Sequence, residues 1–334
     1  MASLGDFVST RLGRAVTVTG LRRLAGGTAH ETWGFEVRDG TGSRLHELIL
    51  RRDFDRGMLD TDLEAEFRLL RALWSAGVPV PRPWWCITEQ SPLTQPFMIV
   101  DRVEGTDLRK HLAANPDVDR HRMGHKLVEL QCAVHRLDRS VDLGRAVDLG
   151  GPAVGSVGPD GELANWTELI NTSGVEPGPL VNAATDWLER HVPDTAPAQL
   201  VHGDFKTNNL LFGADGEITI LDWELAHLGD PVEDVAWTML WTTRTDLVGG
   251  LLSAPEYRAA YEECSGTELD SGALLFWRIF ALVKLAAIFL TGVASGAADR
   301  RPTLLLIGRG LYHLEVELGE LLAQALAPDG ATGR

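Results

Sequence analysis

Cysteine is scarce in this chain. Cys86, Cys132 and Cys264 are the only three among 334 residues. They are scattered and form no CxxC pair, which excludes a disulfide framework and a zinc ribbon. A reducing compartment follows, and the cytoplasm is the expected location. Positive charge is also in short supply. Thirty-one Lys and Arg face 47 Asp and Glu, a formal net charge of -16. An excess of anions this large argues against nucleic acid or an anionic membrane as partner. It leaves room for a cationic ligand, and it also serves solubility. The opening MASLGDFVSTRLGR lacks an apolar signal core, so secretion is not expected. No uninterrupted apolar run of membrane length is present. The most hydrophobic segment, 274–293, is broken by Arg278 and Lys284, and it reads as a buried helix of a C-terminal bundle. Internal repeats and low-complexity linkers are missing too. What remains is ordinary globular composition, 44% hydrophobic and 23% charged. The chain is longer than one compact core usually holds, so two lobes are expected.

Periodicity gives the outline of both lobes. A short helix is predicted over 6–12 and an alternating strand over 16–24. LAGGTAHETWGFEV, 24–37, reads as strand, glycine-containing turn, strand. ELILRR, 47–52, is a third strand. A helix follows over 62–75, with Leu63, Phe67, Leu70, Leu73 and Trp74 on its apolar face. VPVPRP stops that helix, and PFMIVDRV, 96–103, is a buried strand. The expected fold is α+β and bilobal. A small β-sheet lobe with one helix spans 1–103, and a larger, mainly helical lobe spans 104–334. In the second lobe, helices are predicted over 121–137 and 183–191 and after 234. The segment 148–178, rich in Gly, Pro and Asn, is expected to hold loops with a short helix.

The chemistry concentrates between residues 202 and 222. In LVHGDFKTNNLLF an apolar run delivers His202, Gly203 and Asp204 into a loop, and Asn209 follows five residues after Asp204. GADGE turns the chain, and a second apolar run, EITIL, ends at Asp222. Asp or Asn alone would be an ordinary loop residue. The combination is different: one carboxylate to take a hydroxyl proton, and two oxygen ligands for a hard cation, at the spacing phosphoryl transfer uses.

VHGDFKTNNLLF and ITILDWELAHLGDPVEDVAW resemble the aminoglycoside phosphotransferase and choline kinase superfamily, which has a protein-kinase-like fold. Within it they are most similar to the phosphotransferase domain associated with some acyl-CoA dehydrogenases. The resemblance implies that Asp204 is the catalytic base and that Asn209 and Asp222 hold Mg²⁺. It implies that His202 holds the loop by hydrogen bonds and that Asp234 supports it from behind. LAGGTAHET matches the family's phosphate-covering turn, with Gly26, Gly27 and Thr28 against the phosphates. The family's phosphate-binding lysine falls at Arg51, a departure that keeps the charge and offers a planar fork. Strand alternation turns Arg52 to the opposite face. The partner carboxylate falls at Glu66, with Glu64 as the rival on another helix face. Asp101 and Val103 match the inter-lobe linker, whose main chain meets the adenine edge.

The resemblance implies an ATP- (or GTP-) and Mg²⁺-dependent transfer of the γ-phosphoryl group to a hydroxylated small-molecule acceptor. The acceptor pocket is expected from 163–170 and from the helices after 235. Trp237, Trp241 and Trp277 serve there either as lining or as core. Glu224 meets either a polar acceptor or a salt-bridge partner, and His135 is expected to be structural. A nucleotide-binding pseudokinase with a regulatory role is the alternative, and Arg51 alone favours it. A metal-dependent hydrolase lacks its histidine ligands. A protein kinase would carry HRD and DFG, neither of which is present. Aminoglycosides are possible acceptors but not the favoured ones; sugars, hydroxylated acyl thioesters and other natural products stay open, and the acidity argues for a cationic acceptor and against a CoA ester.

Overall fold

The computed structural model describes residues 2–24, 30–53, 62–89, 91–137, 158–194, 197–240, 247–298 and 305–327. The chain divides into two compact units. The first comprises Met1–Ala114, Asp138–Gly151 and Thr207–Leu225; the second comprises Asn115–Leu137, Pro152–Lys206 and Ala226–Arg334. Each unit is built from segments far apart in sequence, and the hairpin that carries Asp222 belongs to the first.

The first unit starts with α1 (Ala2–Leu12), β1 (Thr17–Arg23), β2 (His30–Arg38) and β3 (Arg44–Asp53). It continues with α2 (Leu63–Ser75), β4 (Pro83–Ile87) and β5 (Phe97–Asp101). The five strands form one antiparallel sheet in the order β1-β2-β3-β5-β4. Register decides which side chains share a face. Phe35 lies opposite Leu48, and Leu50 opposite Ile99. These four join Val37 and Phe97 in a buried cluster, with Leu4 and Val8 of α1 packed among them. Arg51 is one residue past Leu50, so alternation turns it to the other face. There it meets Glu66 of α2.

Asp62 starts α2 by accepting hydrogen bonds from the backbone of Glu64 and Ala65, as an N-cap should. Leu63, Phe67, Leu70 and Leu73 are buried, as the helical period requires. Trp74 departs from that expectation. It is 46% exposed, and its ring lies 5.3 Å from the Arg82 guanidinium. Strand β4 is a second departure. VPVPRP reads as a helix stop, yet Pro83 opens an edge strand, where a missing N–H costs no ladder bond. A smaller sheet completes the unit. Leu210–Phe212 and Ile218–Ile220 form a hairpin, extended by Thr106–Asp107. Gly105 permits that extension: a Cβ there would lie 2.9 Å from the carbonyl oxygen of Phe212.

The second unit is mainly helical, with helices Arg120–His135, Pro159–Thr172, Pro179–Arg190, Val232–Leu240, Ala254–Ser265, Ser271–Ala298 and Gly310–Leu326. Gln199–Val201 pairs with His227–Gly229, and Leu247–Val248 with Leu252–Ser253. The segment expected to hold loops and a short helix instead contains the 14-residue helix Pro159–Thr172. Proline stands in the first turn of this helix and of Pro179–Arg190, a start signal that the composition of the region obscures.

The helix Ser271–Ala298 is long and apolar enough to cross a membrane. Here it is a core element, burying Phe276, Trp277, Ile279, Phe280, Leu282 and Val283 among others. Lys284 sits in the middle of it at 1% exposure. Its ammonium donates to Glu233 Oε1 at 2.9 Å and to the carbonyl of Gly203 at 2.8 Å. It also lies 5.0 Å from the Trp237 ring and 5.2 Å from the Trp166 ring. Glu233 meets His227 Nε2 at 3.1 Å through its other oxygen, and His227 lies 3.8 Å from Glu162. All four side chains are buried. Burial pushes the His227 imidazolium toward neutrality, but the Glu162 and Glu233 carboxylates outweigh it and raise its pKa to about 10. Burial works against the Glu233 carboxylate as well, and Lys284 and His227 outweigh it, so its pKa is lowered. Two cations thus balance two carboxylates in the core.

Removing one member unbalances the rest. Lys284→Met should destabilise the protein by about 3–5 kcal/mol, read by urea unfolding. The double variant Lys284→Met/Glu233→Gln should lose less than the sum of the two single changes. The quartet also sets a pH dependence. The folded-state pKa of His227 is raised above its unfolded value of about 6.5. Its stabilisation is complete below that value and is lost as pH rises through about 10. The wild-type urea midpoint should fall over this window, and His227→Gln should flatten the fall.

Candidate active site

In the second unit, the buried strand Gln199–Val201 runs directly into His202, Gly203 and Asp204. Gly203 has φ +76°, a conformation that a side chain would strain. This turn leaves two buried N–H groups pointing away from any ladder. Asp234, in the first turn of Val232–Leu240, satisfies both. It accepts from His202 N at 2.7 Å and from Gly203 N at 2.9 Å. The carbonyl of Gly203 accepts from Lys284, and the backbone N–H of Asp204 donates to His202 Nδ1 at 3.2 Å. Asp234 is held in turn by His135 Nε2 at 3.2 Å, whose Nδ1 lies 2.7 Å from the Tyr261 hydroxyl. Burial opposes the Asp234 charge, but His135, His202 and the backbone donors outweigh it and lower its pKa.

The Asp204 side chain is fixed from two directions. Trp237 Nε1 donates to Oδ1 at 2.9 Å, and Lys206 Nζ lies 2.7 Å from each carboxylate oxygen. Thr238, one residue after Trp237, donates to the carbonyl of Phe205 at 2.9 Å. One face of a single helix therefore carries Asp234, Trp237 and Thr238 against the loop, at the spacing a helical turn provides. Such a carboxylate can accept a proton from a hydroxyl placed against it. Trp277 has another use: it is buried, and its indole donates to Asp230 at 2.9 Å. Trp241 lies outside the described residues.

The first unit gathers a second group. Arg51 Nη1 donates to Glu66 Oε1. Arg51 Nη2 reaches Asp222 Oδ1 at 3.3 Å and Glu224 Oε2 at 3.4 Å. Burial disfavours the Arg51 charge, but Glu66, Asp222 and Glu224 together more than offset it and raise its pKa. The buried Glu66 Oε2 has no hydrogen-bond partner among the described residues. Glu64 lies on the exposed side of the helix beside Arg68. Arg52, on the opposite sheet face from Arg51, pairs with Glu31.

Asp222 itself adopts φ +67°, rare for any residue other than glycine and best tolerated by Asp and Asn. Its neighbours enforce this. The Leu221 N–H donates to the carbonyl of Asn209 at 2.8 Å. Trp223 is fully buried, its indole 3.3 Å from the carbonyl of Ile220. Asn209, at the end of a 3₁₀ turn, is thereby tied to the backbone that presents Asp222. Asn209 and Asp222 offer hard oxygen donors of the kind Mg²⁺ takes, and Arg51 offers a cation for phosphate. Asp101 uses its side chain internally, accepting from Trp84 Nε1 at 2.6 Å. Val103 is half-buried two residues on. Gly26, Gly27 and Thr28 lie outside the described residues.

Two lysines at this site have contacts that sequence reasoning does not assign. Lys206 follows Asp204 by two residues, a proximity that could have been read directly. Lys284 is harder. Its clue was a cation in the middle of the most apolar run, which must find an anion if it is buried.

Residues 20–275 match the phosphotransferase enzyme family. Among curated proteins, acyl-CoA dehydrogenase family member 11 of Pongo abelii is 25% identical over 254 residues, covering 71% of this chain and 31% of that protein. The chain spans about a third of the length of the curated relatives of this kind. Among solved structures, a Ralstonia eutropha JMP134 protein assigned to the aminoglycoside phosphotransferases is 21% identical. It superposes with a TM-score of 0.74, covering 97% of this chain and 98% of that one. APH(2")-IIIa, in its complex with GDP and kanamycin, is 15% identical with a TM-score of 0.63, covering 96% and 99%. With the matched region spanning Arg51, Glu66, Asp204, Asn209, Asp222 and Asp234, the chain belongs to the phosphotransferase enzyme family and has its kinase-like α+β fold.

Proposed function

We propose that this protein transfers the γ-phosphoryl group of ATP or GTP to a hydroxyl of a small molecule, with Mg²⁺ as the metal. The observation that carries the reading is the contact set of Arg51. One guanidinium ties the helix carboxylate Glu66 to Asp222, the residue whose backbone is shaped to present an oxygen ligand. Kinase-type sites need a phosphate-binding cation paired with its helix carboxylate and a metal-binding aspartate both in place.

In this scheme Asp204 orients the acceptor hydroxyl and takes its proton. Trp237 fixes the carboxylate, and Lys206 keeps a positive charge beside it. Asn209 and Asp222 hold the metal, which when bound neutralises charge on the phosphates. Arg51 supports the α- and β-phosphates, with Glu66 holding it in place. The main chain of 101–103 meets the base, and Gly26, Gly27 and Thr28 cover the phosphates. For the acceptor, the net charge of -16 favours a cationic molecule. The likeness to a kanamycin-binding structure supports the same class. Amine-bearing polyols and amino alcohols are therefore the first compounds to screen. A nucleotide-binding pseudokinase is the second reading, favoured by arginine in place of lysine at position 51.

Nucleotide consumption across an acceptor panel decides between the two, because only the first reading gives turnover. Asp204→Asn should lower kcat by about a thousandfold or more while leaving nucleotide affinity within about twofold by calorimetry. Retention of the wild-type rate would remove Asp204 from its role. Asp222→Asn tolerates the same backbone conformation, so it should fold normally and lose the Mg²⁺ dependence of nucleotide binding.

A further inference from the structure

We infer that Glu224 is a positioning residue: it gives the Arg51 guanidinium a second seat, and so frees Asp222 for the metal. The inference rests on the reading of Asp222 as a metal ligand.

The geometry of Arg51 is asymmetric. Its Nη1 is anchored on Glu66. Its Nη2 is divided, 3.3 Å from Asp222 and 3.4 Å from Glu224. Charge-assisted N–H···O bonds settle at about 2.7–2.9 Å, so neither carboxylate holds Nη2 fully. A small rotation of the guanidinium about its Glu66 anchor shortens one contact and lengthens the other. The Asp222 main chain is held by the Leu221 and Trp223 contacts, so the guanidinium arm is the part that shifts in this scheme.

Charge gives the second argument. Three carboxylates, those of Glu66, Asp222 and Glu224, surround one guanidinium. Among these four side chains the carboxylates outnumber the guanidinium, an imbalance that a divalent cation at Asp222 would reduce. That cation would compete with Arg51 for Asp222. Without Glu224, the displaced Nη2 would lose its carboxylate, and metal binding would carry that loss. With Glu224 in reach, Nη2 moves from one carboxylate to another. Arginine at position 51 creates the need for such a seat. A lysine ammonium is a compact point charge that settles on Glu66 alone, whereas the planar fork spans to a second group.

The test uses the full chain and Mn²⁺, alone and with ADP, with binding followed by calorimetry or by the spin signal of free Mn²⁺. Thermal melts confirm that each variant is folded. Glu224→Gln should weaken Mn²⁺ affinity about two- to fivefold, the range of a partly exposed ion pair. Arg51→Lys keeps a cation for the buried Glu66 but removes the second arm. In that background Glu224→Gln should cost nothing. An unchanged affinity in Glu224→Gln overturns the inference. So does a loss that persists beside Arg51→Lys, because Glu224 would then touch the metal itself. Asp222→Asn separates the two levels: if it binds Mn²⁺ as the wild type does, the metal reading of Asp222 has failed and the inference falls with it.

Discussion

Two buried N–H groups at the His202-Gly203 turn constrain much of the second unit. A chain that leaves a strand and turns through a left-handed glycine cannot satisfy them within its own backbone, and leaving them unpaired would cost about 1–3 kcal/mol each. Asp234 accepts both. Its carboxylate must then be buried and charged, which requires His135, and His135 requires Tyr261. The helix that carries Asp234 is held in register by this grip. The same register delivers Trp237 to Asp204 and Thr238 to Phe205. The Asp204 carboxylate, the proposed base, is thus positioned by the satisfaction of its neighbours' main chain.

The other side of that loop is gripped by charge. Lys284 reaches Gly203 from the core of an apolar helix, and its charge is offset by Glu233. Hydrophobic packing alone would not need an ammonium there, and a methionine would fill similar volume. What the ammonium adds is a donor aimed at one carbonyl. The cost of burying it is offset by the carboxylates of Glu233 and Glu162, which His227 also shares.

The sequence makes the local parts of this design legible. Asp204, Asn209 and Asp222 stand out because two short loops carry them at fixed spacing. Arg51 and Glu66 come from the family resemblance, and strand alternation and helical period set aside their neighbours Arg52 and Glu64, two local rules that the sheet and α2 obey. The non-local parts stay hidden. Period and composition show that Lys284 interrupts an apolar run, but pairing it with Glu233 requires knowing that two distant helices pack. The divided seat of Arg51 depends on a hairpin more than 170 residues away returning to its own unit. Strand β4 was masked by prolines, and Trp74 by an arginine that covers it from outside the helix.

The left-handed backbone at Asp222 bears on how such a chain could lose its chemistry. Asparagine and glycine accept that conformation, whereas alanine or valine would add roughly 1–2 kcal/mol of strain. With Asp222 as the proposed metal ligand, a descendant giving up the proposed catalysis could therefore replace this aspartate by asparagine or glycine without backbone strain. Most other replacements would tax folding and function together. The shape of one residue's backbone thereby narrows the routes by which a phosphotransferase of this architecture drifts into a silent nucleotide-binding protein.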